Sequence, residues 1–470
     1  MSGSRMSPWD AIIIGAGPAG LAAATLLAER QARVLLVDEQ PAPGGQIYRR
    51  IEHVASRRPD LLTVLGADYA HGADLAKRFR ASGADYLPES TVWQVTPERE
   101  VWLSRAGRSA RHEAQTIVIA TGAMERPVPV PGWTLPGVMT AGAVQILLKS
   151  AALKADEPLV LAGSGPLLYL LAEQCLAAGA RLAAVLDTTT AENEGAALVH
   201  LPAAVLKGGL AYLRKGLKLR AAIRKSGVPW FRHVTKLRIE GTDAVAGVTF
   251  ESRGRTERLD ARLVALHEGV IPAQQMTRSI GLAHEWDAVS HCFRPTVDAW
   301  GNSSVDGILV AGDGAGIGGA RAAEHAGRLA AAEMLRRLGR IDGAARDRLA
   351  QADRRALAAH LAIRPFLDRL YAPRAEILEP ADAVTICRCE EITAGAVRAV
   401  VAQGCLGPNQ AKSFLRCGMG PCQGRLCGPT VTSVIAGALG QSDEEVGYYR
   451  IRPPLKPITL GELANMDAAE

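Results

Sequence analysis

Residues 11–39 read AIIIGAGPAGLAAATLLAERQARVLLVDE, and the architecture of the chain follows from them. Ala11–Ile14 is a short apolar run of the buried-strand type, Ala19–Glu29 has helical spacing, and Arg33–Val37 is a second apolar run. That order predicts a βαβ unit with parallel strands. The turn from first strand to helix is Gly15-Ala16-Gly17-Pro18-Ala19-Gly20, which fits G-x-G-x-x-G, and Asp38-Glu39 closes the second strand where the fingerprint needs an acidic residue. Gly15 permits the tight turn, Gly17 lets the backbone approach a pyrophosphate, and Gly20 lets helix and strand touch. The helix N-terminus then offers unpaired N–H groups and a positive dipole end to the phosphates. Glu39 is placed to accept from ribose hydroxyls and to repel a 2′-phosphate. The glycine pattern alone is a weak signal. Strand, helix and acidic residue together make a ligand-free turn the poorer reading.

The chain has 470 residues, room for two or three domains with full cores. Aromatic residues are only 4%, which disfavours a stacking platform for nucleic acid. The net charge of +6 is spread out with no block of five or six like charges, so neither nucleic acid nor a polybasic membrane patch is expected. The opening MSGSRMSPWD lacks the apolar core of a signal peptide, and no segment reads as transmembrane. The expected compartment is the cytoplasm, with membrane association left open. Six of the eight cysteines fall between Cys387 and Cys427, which in such a chain points to metal or redox chemistry before disulfides.

Further along, Gln115–Ala120 reads as a strand, and Leu159–Ala162, Pro166–Ala178 and Leu182–Leu186 read as a second βαβ unit. Ala244–Phe250, Arg262–Leu266 and Ile308–Ala311 are strand-like, and Gly318–Leu335 is a long helix. The expected fold class is α/β: a Rossmann-like dinucleotide domain with a second such domain inserted into it, followed by a small Cys-rich module. The expected divisions are 1–125 and 295–340 for the first domain, 126–294 for the insert, 341–382 for a helical linker, 383–440 for the module and 441–470 for an extended tail over the surface.

Ala120-Thr121-Gly122 ends a strand in a tight turn, and Gly307–Asp313 (GILVAGD) runs from strand to helix. Here the chain resembles the two-dinucleotide-domain flavoprotein reductases. The resemblance implies FAD at the first glycine turn, with Gly312-Asp313 over the ribityl and phosphate part and the Asp313 carboxylate bonded to the ribityl chain. Gly44-Gly45-Gln46 follows at that family's spacing. The redox cysteine pair of the disulfide reductases is missing, since Ile47-Tyr48-Arg49-Arg50 comes next, and Cys175 stands alone in the second domain. Cys175 and Cys292 read as small buried core residues. Arg126 is placed to face a cofactor phosphate or the surface. His267 and His325 are read as hydrogen-bonded structural residues ahead of any proton-shuttle role.

The second glycine turn, Gly163-Ser164-Gly165-Pro166-Leu167-Leu168, keeps two glycines, but Leu168 stands where the third belongs. NAD(P)H binding is disfavoured there; a bound ATP or NAD(P) without a redox role, or no ligand at all, stays open.

Cys387-Arg388-Cys389 and Cys422-Gln423-Gly424-Arg425-Leu426-Cys427 supply four thiolates in two pairs, suited to a [2Fe–2S] cluster. Structural zinc is the competing reading, but it prefers pairs two to four residues apart. Gly418, Gly420 and Gly424 would keep side chains away from the sulfurs. The runs Cys387–Glu391 (CRCEE), Arg416–Arg425 (RCGMGPCQGR), Ala120–Gln145 and Val310–Ala320 resemble the α (A) subunits of heteromeric amino-acid and opine dehydrogenases, a group that includes subunits of opine oxidase, hydrogen cyanide synthase and D-hydroxyproline dehydrogenase. The resemblance spans nearly the whole chain. Cys417 departs from it, standing where a small non-ligating residue is expected, and Cys405 is also outside the ligand set. The resemblance implies an electron-transfer role within a larger enzyme. A catalytic flavoprotein β subunit of the amino-acid-oxidase type would oxidise the C–N bond of a secondary amine or amino acid (an opine, hydroxyproline, proline or glycine). The resemblance further admits a small ferredoxin-like subunit, together with an FMN at a subunit interface. The alternative is a self-contained NAD(P)H-dependent reductase.

Overall fold

The opening βαβ unit forms as patterned in the computed structural model, which describes residues 8–467. Strand β1 (Trp9–Ile14) is buried from Ala11 onward, as a strand covered on both faces must be. It pairs in parallel with β2 (Val34–Val37) and with the far end of the long strand Arg108–Ile119. Asp85–Leu87 extends the sheet beyond β2, and Ile308–Val310 extends it beyond the long strand. The near end of Arg108–Ile119 closes an antiparallel meander with Thr91–Val95 and Glu100–Arg105. Helix α1 (Pro18–Glu29) packs so closely on helix Ala320–Arg337 that a Cβ on Gly327 would lie 2.1 Å from the Ala19 carbonyl oxygen. Only glycine fits there.

The second unit is a five-stranded parallel sheet ordered Trp230–Arg232, Leu182–Asp187, Leu159–Ser164, Leu263–Glu268, Val138–Thr140. A three-stranded antiparallel sheet, Thr235–Gly241, Val245–Ser252 and Arg255–Asp260, accompanies it. The strands Ala123–Glu125 and Val270–Pro272 pair antiparallel and carry the chain out to this unit and back. After the return, Met276, Ile280 and Phe293 share a core with Ile12, Val37 and Ile117 of the first sheet.

Ala191–Lys225 is, among the described residues, a helical run long and apolar enough to cross a membrane by length and composition alone. It bends at Gly208 (φ 111°) and carries Lys207, Arg214, Lys215 and Lys218. Leu206 on it is 86% exposed. The expected extended surface tail, 441–470, is corrected on both counts: it carries short helices at Asp443–Val446 and Leu460–Ala464, and Tyr448, Tyr449, Ile451 and Leu455 are buried in the same core as Ile386, Val397 and Val434 of the Cys-rich module. Beyond them Met466–Asp467 adds to the long strand Arg108–Ile119.

Candidate flavin and iron–sulfur sites

Two positions of the first glycine turn, Gly15 and Gly20, cannot carry a side chain. Gly15 has φ 108°, and a Cβ on Gly20 would lie 1.8 Å from the Gly15 oxygen. The Gly44-Gly45 turn closes onto it: the Gly44 N–H donates to the Ala16 oxygen at 2.8 Å, and a Cβ on Gly45 would lie 2.8 Å from Gly17 Cα. Gln46 follows this turn. Asp38 accepts from the Ala16 N–H at 2.5 Å and the Gln40 N–H at 2.7 Å, tying the strand end to the turn. Burial pushes its pKa up, and the two N–H groups pull against that. Glu39 forms an ion pair with Lys456 from the C-terminal tail. The expected ribose acceptor therefore has a cationic neighbour that sequence proximity could not reveal.

Ala120, Thr121 and Gly122 lie beside this floor, and the Thr121 hydroxyl is buried without a hydrogen-bond partner. Asp313 Oδ1 accepts from the N–H groups of Gly318 (2.9 Å) and Gly319 (2.8 Å), which sets the loop that opens helix Ala320–Arg337. Gly312, at φ 76°, is pressed to Ala19 and Ala323. A cavity of about 440 Å³ reaches the same loop, between Asp313, Gly316, Arg294, Arg364 and Trp300. Bare backbone at a helix N-terminus and an orphaned hydroxyl are features that suit the diphosphate and ribityl parts of FAD.

Lys149 was not singled out from the sequence, although a lysine amid the apolar face of helix Ala141–Ala151 was the available signal. It is 1% exposed, and its ammonium donates to the Gln46 oxygen (3.2 Å) and Gln145 Oε1 (2.7 Å). Gln145 in turn donates to Gln174, and Gln174 to the Leu65 oxygen. This chain of bonds joins the inserted unit to the flavin-side turn. Burial first, then the Arg49 charge, lowers the Lys149 pKa to about 7.

Arg126 meets neither a phosphate position nor solvent; it is buried and donates to the Ser290 and His291 carbonyls. His267 pairs with Glu125 (2.8 Å) and His325 with Asp353 (2.7 Å). Cys175 and Cys292 are buried, and burial pushes their thiols to about 12 and about 11.

In the C-terminal module, strand Thr385–Cys387 and the loop before helix Gly428–Leu439 bring Cys387, Cys417 and Cys427 together, with their sulfurs within 4.8 Å of one another. Cys389 bonds the Cys422 N–H and thiol beside them. Of the four expected ligands, Cys387 and Cys427 lie in this buried group with Cys417, whereas Cys389 and Cys422 pair with each other outside it. Hydrogen bonds from Cys417 and Cys427 favour the Cys387 thiolate, the form that binds metal. The Tyr449 hydroxyl lies 3.5 Å from Cys417 and 3.8 Å from Cys427. A thiol set this compact, with no histidine or carboxylate in the group, suits an iron–sulfur cluster. Cys405 is buried elsewhere in the module core and donates to the Gly407 oxygen.

Fold and sites together define a flavoprotein with two dinucleotide-type units and a C-terminal thiolate module. The chain belongs to the Pyridine nucleotide-disulphide oxidoreductase family, whose model matches residues 9–333, and a BFD-like [2Fe-2S] binding domain matches residues 385–437. It is 50% identical to the A subunit of opine oxidase from Rhizobium meliloti (strain 1021), covering 98% of this chain and 99% of that one. It is 33% identical to hydrogen cyanide synthase subunit HcnB of Pseudomonas protegens, covering 97% of each. L-proline dehydrogenase from P. horikoshii shares the fold with TM-score 0.68 at 18% identity, covering 97% of this chain and 79% of that chain. The chain is a flavin-dependent oxidoreductase with an iron–sulfur module.

Proposed function

We propose that the chain is the electron-transfer subunit of a heteromeric dehydrogenase acting on the C–N bond of a secondary amine or amino acid. A catalytic flavoprotein partner removes the electrons from the substrate, and this chain receives them. FAD rests on Gly15–Gly20, with Asp38 bracing the turn, Glu39 and Lys456 at the ribose end, and Gly45, Gln46, Ala120–Gly122, Gly312 and Asp313 around the remainder. FAD supplies two-electron acceptance and one-electron release. Cys387, Cys389, Cys422 and Cys427 would hold the [2Fe–2S] cluster, with the buried Cys417 thiol against Cys387 and Cys427 and bonded by the Tyr449 hydroxyl. Lys149 holds the Gln46 turn against the flavin side.

The supporting observation is that the flavin sheet and the thiolate module share one hydrophobic core, which includes Ile12, Val37, Ile386 and Tyr449. That geometry suits passing electrons within one rigid body. The relatives' names, each a subunit of a larger oxidase or synthase, support a partner. Purification with a co-expressed amino-acid-oxidase-like partner should give substrate-dependent flavin bleaching that this chain alone does not show. Full turnover of an amino acid by this chain alone would refute the reading.

A further inference from the structure

The two glycine turns differ in what covers them. Gly15 and Gly17 are partly open, whereas Gly163, Ser164 and Gly165 are all buried. His267, Glu268 and Arg374 surround the second turn. The His267 ring stands 3.4 Å from where a Gly165 Cβ would be, fixed by Glu125 at 2.8 Å. Glu268, 2% exposed, accepts from Ser164 Oγ at 3.1 Å and Thr188 Oγ1 at 2.9 Å. Its third partner is the Arg374 guanidinium at 2.8 Å.

Arg374 arrives from beyond the first unit, on the stretch after helix Arg364–Leu370. That stretch is seated at several points. The Tyr371 ring packs beside Tyr169, and the Ala372 oxygen accepts from Asn193 at 3.1 Å. Glu376 accepts from the Lys236 N–H at 3.0 Å, and Ile377 enters the core with Val160, Leu186 and Leu266. Asp187, where a ribose acceptor would stand, is 1% exposed and bonded to Tyr169 (2.7 Å) and the Thr189 N–H (3.0 Å). A nucleotide entering here would have to lift the segment, break a buried ion pair and set its phosphates beside the Glu268 carboxylate. Like charges at close range make that unfavourable.

We propose that Tyr371–Ile377 is a built-in plug of the second dinucleotide crevice, and that the Arg374–Glu268 pair determines donor specificity by excluding NADH and NADPH. The inserted unit then serves as a rigid interface, and electrons reach the flavin only from a protein donor. The plug rests on the crevice geometry and not on the identity of the donor, so it and the partner reading fail separately.

The test uses the FAD-loaded full chain, so that the first site is filled. NADH, NADPH and ATP are titrated by calorimetry to millimolar levels; ATP is included because Arg374 Nη2 is buried without a partner and is the donor an incoming phosphate would seek. No saturable binding is expected, nor any flavin bleaching by NADH in anaerobic stopped flow. Hydrogen exchange should protect the Ile377 and Glu379 amides, which bond the Arg374 and Ala375 oxygens, like those of the flanking strands. Arg374→Ala should speed their exchange about tenfold or more without changing FAD content. Saturable nucleotide binding to the wild-type chain, or exchange of 371–379 at the rate of an unstructured peptide, overturns the plug. Both are read on the wild type, so a variant that fails to fold leaves the test intact.

Discussion

Replacing Gly17 by alanine should separate folding from flavin binding. Gly17 sits at φ −79° and ψ −176°, extended backbone open to any residue. A Cβ there meets only Gly45 Cα, at 3.9 Å, an ordinary contact. The smaller conformational freedom of the unfolded alanine chain favours Gly17→Ala by about 0.4–1 kcal/mol. The N-cap preference for glycine over alanine opposes it by roughly a few tenths to 1 kcal/mol. Apo stability should therefore stay within about 1 kcal/mol of wild type. On the proposed placement of FAD the ligand would have no such latitude, because the methyl would stand where the diphosphate meets bare backbone. Losing one or two charge-assisted N–H contacts at roughly 1.5–3 kcal/mol each weakens FAD binding by about tenfold to about twenty-thousandfold. Gly20→Ala is the control: its Cβ would lie 1.8 Å from the Gly15 oxygen, backbone against backbone, so it should damage the fold itself. The assays are urea unfolding of both apoproteins and FAD titration by flavin fluorescence. If Gly17→Ala binds FAD within twofold of wild type, or unfolds as readily as Gly20→Ala, the assignment of the turn is wrong.

Cys387→Ser and Cys422→Ser should lose the iron and the visible absorbance beyond the flavin bands, while Cys417→Ser keeps both; iron analysis decides, and an iron-free Cys417→Ser protein would move the ligand set to the buried Cys387, Cys417 and Cys427 group. Lys149 has a folded pKa of about 7 against an ordinary 10.5, so between these values the unfolded chain holds a proton the folded chain has shed. Stability should climb with pH through that window, by at most about 1.4 kcal/mol per pH unit, and be lost again as pH falls towards 7; Lys149→Met should flatten the climb in urea melts at pH 7 and 10. Arg374→Ala leaves Glu268 buried without its cation and should destabilise the fold by roughly 3–5 kcal/mol; a change in urea midpoint worth less than about 1 kcal/mol would show the pair to be slack.

The flavin cradle was legible because its signal is local. Three glycines, a strand, a helix and the acidic pair Asp38-Glu39 lie within one βαβ unit, and each has a backbone reason to be there. The two cysteine pairs are local signals too, but the thiol the structure adds to Cys387 and Cys427 is Cys417, which belongs to neither pair. The helices Ile51–Arg57, Pro59–Leu65 and Ala67–Ala81 were passed over, although Tyr69, Gly72, Ala76 and Phe79 recur at helical spacing on the buried side of the last. What local pattern could not carry are contacts between distant segments. Glu39 meets Lys456 across 417 positions, and Arg374 meets Glu268 across 106. Glu39 is marked as an acceptor by its place in the fingerprint, but nothing near it, or near Lys456, Glu268 or Arg374, marks the pairing.

The module glycines make the sharper case. They were expected to keep side chains away from the sulfurs; Gly420 does lie against Cys389, and the Gly418 N–H bonds Cys387. Gly418 and Gly424 answer to a second neighbour as well: a Cβ on either would stand 2.6 Å or 2.8 Å from the Tyr449 ring, and one on Gly428 would stand 2.1 Å from the Tyr448 hydroxyl. The tail therefore shapes the cysteine loop, and the loop can be that close only because it is glycine. Tyr448 in turn packs on Phe293, and Arg278 stands over both rings at 4.6 Å. The Leu455 N–H donates to the Trp93 oxygen at 2.7 Å, and Lys456 reaches Glu39 at the flavin turn. A module fastened on both sides in this way is held against the flavin sheet. Electrons would then pass between flavin and cluster at a distance set by packing, and a substitution in the tail should disturb that transfer without touching either cofactor's ligands.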